Sequence, residues 1–148
     1  ADVVRLSGEM TRQHASSASS YWSQIEQSIR FHLYASTLLQ PWYFFLYFET
    51  RSLPDCQQKV STLIELDAID GFTAHIEAGV KTGEFSIESP RAVANAIVVM
   101  LEDWYLKPWK NQLLKPGSDS LDRQNKIIEA YYQDLTSMVK SMLQVKPI

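Results

Sequence analysis

The sequence predicts an all-α fold, a bundle of about six helices. Apolar residues recur at spacings of three and four along most of the chain, and the two-residue alternation of a half-buried strand is absent. Prolines and glycines fall where such helical patterns begin and end, not inside them. The chain has 148 residues, 45% hydrophobic and 21% charged, enough to bury one core, so residues 1–148 are read as a single domain.

A first helix is expected over 2–14, where Val3, Leu6 and Met10 share a face before the serine-rich break at 15–20. The chain has no initiator Met and opens inside this pattern, which reads as a piece of a longer polypeptide. A second helix, 19–40, carries Trp22, Ile25, Ile29, Leu33 and Ser36 on one stripe and Phe31, Tyr34 and Leu38 on another. Two stripes imply neighbours on both sides. Pro41 suits the first turn of a new helix, where a missing N–H costs little, so 41–52 is expected to bend away as a third.

Pro54 restarts the chain in the same manner, and 54–82 forms a long fourth helix with Leu66, Ile69, Ile76 and Val80 inward and Phe72 beside them. Gly83 is placed to end it in a left-handed conformation, with Phe85 folding back over the last turn. Ser89 and Pro90 supply an N-cap and a first-turn proline for the fifth helix, 90–109. Its Val93, Ala94, Ile97, Val98, Val99, Met100, Leu101, Trp104 and Tyr105 are apolar on nearly every side, which predicts a central position. After a loop at 115–119, Asp119 or Ser120 caps a sixth helix, 120–143.

In that last helix Leu121, Ile128, Leu135 and Met142 repeat every seven residues, flanked by Tyr132 and Val139, while Ile127, Tyr131 and Met138 define a second face. One face serves the helix's own core. The other implies a further buried surface, most simply a twin subunit paired through the last two helices. The expected interface residues are Val93, Ile97, Leu101, Ile128, Tyr132, Leu135 and Met142, and Leu135→Asp is expected to give monomers.

The net charge is −3 and the pI near 5.6, so the chain lacks the basic stripe that holds a phosphate backbone. No run approaches the roughly 20 apolar residues that span a bilayer. The lone Cys56 cannot close an internal disulfide and points to a reducing, cytoplasmic setting. Glu-x-x-His pairs, zincin and Walker A patterns, nucleophile elbows and dinucleotide fingerprints are all missing. No catalytic residue, metal or cofactor is therefore assigned, and the chain is not read as an enzyme.

His32 and His75 lie beside apolar stripes. Each reads first as a histidine hydrogen-bonded in or near the core, with ligand contact, or a haem or metal ligand, as the sharper alternatives. Asp67 and Asp70 read as a solvated face, since no partner stands at catalytic spacing. Cys56 reads as an inert thiol. The aromatic residues read singly as core, but together with buried charges they suggest a cavity. Glu49 and Arg51 break the run YFFLYF. Two residues apart is about 200° of helix, so they point to opposite sides and cannot pair with each other.

Two stretches, YFFLYFETRSLP and HIEAGVKTGEFSIESPRAVANAIVVMLEDWYLKPWK, resemble the C-terminal effector-binding and dimerisation domain of TetR-family transcriptional regulators. The carrying residues are Glu49, Arg51, Leu53, Pro54, Gly79, Gly83, Glu84, Phe85, Pro90, Trp104 and Tyr105. The resemblance implies a homodimer whose helical cavity takes a small, mostly apolar or aromatic effector. It also implies control of operator binding through the connector, residues 2–14, by an N-terminal helix-turn-helix domain that these residues do not contain.

On that reading the effector would meet Trp22, His32, Tyr43, Tyr47, Phe72, His75, Trp104 and Tyr105, with Glu49 as polar anchor. Two other readings stay open at this stage. One is a helical cofactor protein or enzyme holding haem or metal through His32 or His75; the other is a helical dimerisation module without a ligand.

Overall fold

A computed structural model describes residues 20–48, 55–107, 110 and 121–146, without the side chains of 46, 56–61 and 121. Five helices occur among them: α1 Tyr21–Leu38, α2 Gln40–Phe48, α3 Asp55–Lys81, α4 Pro90–Leu106 and α5 Leu121–Leu143. The expected helix 2–14, Glu49, Arg51, the Cys56 side chain and the 115–119 loop lie outside the described residues. No strand occurs among the described residues, and no described helix is long and apolar enough to cross a membrane.

Each helix begins and ends for a local reason. Ser20 caps α1, its side chain accepting from the Ser23 N–H. Pro41 stands in the first turn of α2, two residues after a break at Leu39, as its fixed φ favours. Gly83 has φ +80°, and Phe85 N–H donates to Gly79 O at 3.1 Å. The Phe85 ring lies over Gly79, where any Cβ would collide with it. Pro90 opens α4, but the expected Ser89 side-chain cap is not formed; only its carbonyl serves, accepting from Val93 N–H.

α4 packs against each of the other four helices, so its nearly all-round apolar sequence has the central place expected of it. Its Ala94, Ile97, Leu101 and Trp104 meet Ile25, Ile29 and Leu33 of α1, Ile69, Phe72 and Ile76 of α3, and Ile128, Leu135, Val139 and Leu143 of α5 in one core. Each fully buried Ile or Leu stabilises the fold by roughly 1.5–3 kcal/mol relative to exposure. Hydroxyls buried in this core are satisfied within their own helices: Thr73 donates to Ile69 O and Thr136 to Tyr132 O, both at 2.7 Å.

Three expected inward residues face out instead. Leu38 at the end of α1 is 82% exposed, Leu66 of α3 39% and Val99 of α4 51%. For Leu38 the second stripe of α1 ends one turn early, because the chain turns at Leu39 into α2 and none of the described residues covers it.

Candidate functional site

The predicted site residues divide into two groups that the helices bring together and several that they do not. On α1, His32 lies between two rings: Phe31 edge-on at 6.3 Å and Phe72 of α3 at 5.8 Å. The imidazole finds aromatic carbon and no hydrogen-bond partner among the described residues. Burial without a counter-charge pushes its pKa down to about 4, so it is neutral at physiological pH.

The second group gathers where α2, α3 and α4 meet. Gln40 Nε2 donates to Tyr105 O at 3.2 Å, tying the start of α2 to the end of α4. The Tyr43 and Tyr105 rings then stack at 5.1 Å and 59°. Beside them the Glu102 carboxyl of α4 shares a hydrogen bond with Glu65 of α3. Its burial, then that bond and the Glu65 charge, push Glu102 up to about 8. Glu102 therefore holds its proton at neutral pH, since burial and a nearby carboxylate both oppose its ionisation. The Tyr105 phenol is raised well above its ordinary range, first by burial, then by Glu102, Tyr43, Glu65 and Tyr47.

Other expected members serve different ends. Trp104 is 1% exposed; its Nε1–H donates to Thr37 Oγ1 at 2.9 Å and its ring stacks on Tyr131 at 4.8 Å. That is a core position with its polar tip satisfied. Phe72 is buried too, but on the side that meets His32. His75 Nδ1 is bonded to Gly71 O at 2.9 Å, the core-histidine reading with a backbone partner. Trp22 packs against the core at the start of α1, and Tyr47 stacks on Phe48 at the surface. Glu49 lies outside the described residues.

Similarity to known proteins adds to this geometry. Neither the family models nor the curated proteins contain a match to this sequence. Among solved structures, a bacterial regulatory protein in the TetR family from Rhodococcus RHA1 superposes with a TM-score of 0.66. The match covers 93% of this chain and 70% of that one at 18% identity. The fold is that of a TetR-family regulator.

In that TetR-like fold most of the expected interface residues are already buried within the single chain. Ile97, Leu101, Ile128, Tyr132 and Leu135 are 0–7% exposed within the single chain. Ile128 and Leu135 of the heptad face of α5, with Tyr132 beside them, thus belong to the chain's own core. Val93 is half-buried, and only Met142 of that set lies at the surface. Of the second face, Tyr131 is also used internally, its hydroxyl donating to Met100 O at 2.7 Å. Met138 remains, 52% exposed, with Val99 of α4 exposed like it.

Glu65 and Glu102 were not among the predicted site residues. They lie on different helices, and the packing of α3 on α4 unites them across 37 positions of sequence. A carboxylate one helical turn from inward Ile69 or Leu106 is the signal they leave. No cluster of three or more His, Cys, Asp or Glu with metal-binding geometry occurs among the described residues.

Proposed function

We propose that this chain is the ligand-sensing and dimerisation part of a TetR-like transcriptional regulator, acting without catalysis in the cytoplasm. The observation that carries the reading is the TetR-like fold over 93% of the chain. The two motif stretches that resemble the family support it independently.

The effector is a small, mostly apolar molecule lodged among α1, α2, α3 and α4. Phe31, Phe72, Tyr43 and Tyr105 give it aromatic walls, the neutral His32 imidazole a hydrogen-bonding group, and the Glu65–Glu102 pair a meeting place for its polar end. Glu102 and Glu65 take the anchoring role that the sequence reading gave to Glu49. Binding favours one packing of the bundle by its differential affinity for the two states. The change passes to the segment before residue 20 and so to a DNA-binding domain elsewhere in the protein.

Dimerisation uses the exposed faces of α4 and α5 around Val99, Met138 and Met142, in place of the buried Ile128, Tyr132 and Leu135. A thermal-shift screen of the purified chain against small amphipathic compounds tests the sensor reading. Compounds that raise the wild-type Tm and lose that effect in His32→Ala and Tyr105→Ala are the expected result. A library without any stabilising compound would remove the sensor reading and leave a bare helical module.

A further inference from the structure

We propose that the Glu84 carboxylate is a latch that fixes the start of α1 to the turn after α3, and that a shift of that turn reaches α1 through this one side chain. The inference starts from the N–H groups of Tyr21, Trp22 and Ser23, which open α1 ahead of its first intrahelical bond, Gln24 N–H to Ser20 O at 3.0 Å. Ser23 N–H is taken by Ser20 Oγ at 3.0 Å. The remaining two, Tyr21 N–H and Trp22 N–H, both go to Glu84, at 3.2 Å to Oε2 and 2.9 Å to Oε1. Glu84 is 63 residues from Tyr21 in the chain. A carboxylate there also meets the positive end of the α1 dipole.

The backbone that carries this carboxylate is held to two other helices. Phe85 N–H bonds Gly79 O of α3, and its ring is buried over Gly79. Ser86 N–H donates to Leu143 O at the end of α5, and Lys146 N–H donates to Glu84 O at 3.2 Å. The turn formed by Glu84, Phe85 and Ser86 thus joins the start of α1 to the ends of α3 and α5. Full burial in α1 begins at Ile25, while Tyr21 and Trp22 ahead of it pack against the core only in part. Ahead of that point the backbone N–H groups are held by Glu84 and Ser20, beside these two partly buried rings. The latch stands on these contacts alone; only its output, the segment before residue 20, rests on the sensor reading proposed above.

Amide hydrogen exchange of the 148-residue chain, followed by NMR, tests the latch without any ligand. Glu84→Ala is expected to speed exchange of the Tyr21 and Trp22 amides about tenfold, leaving residues 26–36 and 69–79 within about twofold. Ser20→Ala is expected to loosen Ser23 and spare Trp22. Coupling is tested by a double-mutant cycle. Gly79→Ala, which must displace the Phe85 ring, is expected to speed Tyr21 and Trp22 exchange several-fold with Glu84 present and to add nothing in Glu84→Ala. Should Gly79→Ala fail to fold, Phe85→Leu makes the same displacement more gently.

Unchanged exchange at Tyr21 and Trp22 in Glu84→Ala would overturn the proposal. So would a uniform rise across all helices, or full additivity in the cycle. An effector screen without hits would sink the sensor reading while leaving the cycle's result intact, so the two failures are separable.

Discussion

Glu102 and His32 respond to pH in opposite senses. Glu102 is raised from 4.5 to about 8, so the native state binds the extra proton between those values. Stability therefore falls as pH rises across that window, and the loss is complete above it. Glu102→Gln is expected to raise the Tm at about pH 9, with the advantage shrinking toward about pH 4.5, measured by thermal melts across the range. His32 is lowered from 6.5 to about 4, so the unfolded chain takes the extra proton and stability falls as pH drops from 6.5 towards 4. His32→Phe is expected to flatten that acid limb; an unchanged acid limb would place the imidazole in water. His32 was legible from the sequence as a histidine on an apolar stripe. Glu102 was not, because its environment is made by Glu65 on another helix.

The order of helices was legible because local signals set their ends: Pro41, Gly83 and Pro90 mark boundaries that the backbone obeys. The use of each helix face was less so. The α5 pattern carries apolar residues on two sides, and periodicity counts sides without saying which partner covers each. Leu135 is 1% exposed and Met138 52%, which separates their fates. Leu135→Asp buries an unpaired charge and is expected to cost roughly 3–5 kcal/mol, seen as loss of the folded state by circular dichroism in place of a clean monomer. Val99→Asp with Met138→Asp is expected to leave the Tm within a few degrees and shift sedimentation to the monomer. A double variant that still sediments as the parent does would move the interface elsewhere.

At the scale of the molecule, α4 touches the four other described helices, so a ligand that presses on Tyr105 or Glu102 acts on the same helix that exposes Val99. That shared element links the proposed effector site to the proposed dimer face, and it follows from an all-round apolar sequence that could be read in advance. The aromatic richness of 42–48 was equally visible, but its disposition was not. Trp42, Phe45 and Phe48 are 64%, 45% and 48% exposed, and only Tyr43 turns inward to meet Tyr105. Helical spacing assigns these rings to sides of α2; which side meets α4 depends on the turn at Leu39.

The central claim is that an effector binds among α1, α2, α3 and α4. Chemical-shift mapping by NMR, with a compound that stabilises the chain in the thermal screen, tests it most directly. The account expects the largest perturbations at His32, Tyr43, Phe72, Glu102 and Tyr105, with residues 128–139 of α5 responding weakly. Perturbations confined to the exposed rings of Trp42, Phe45 and Phe48, with His32 and Tyr105 unmoved, would contradict it.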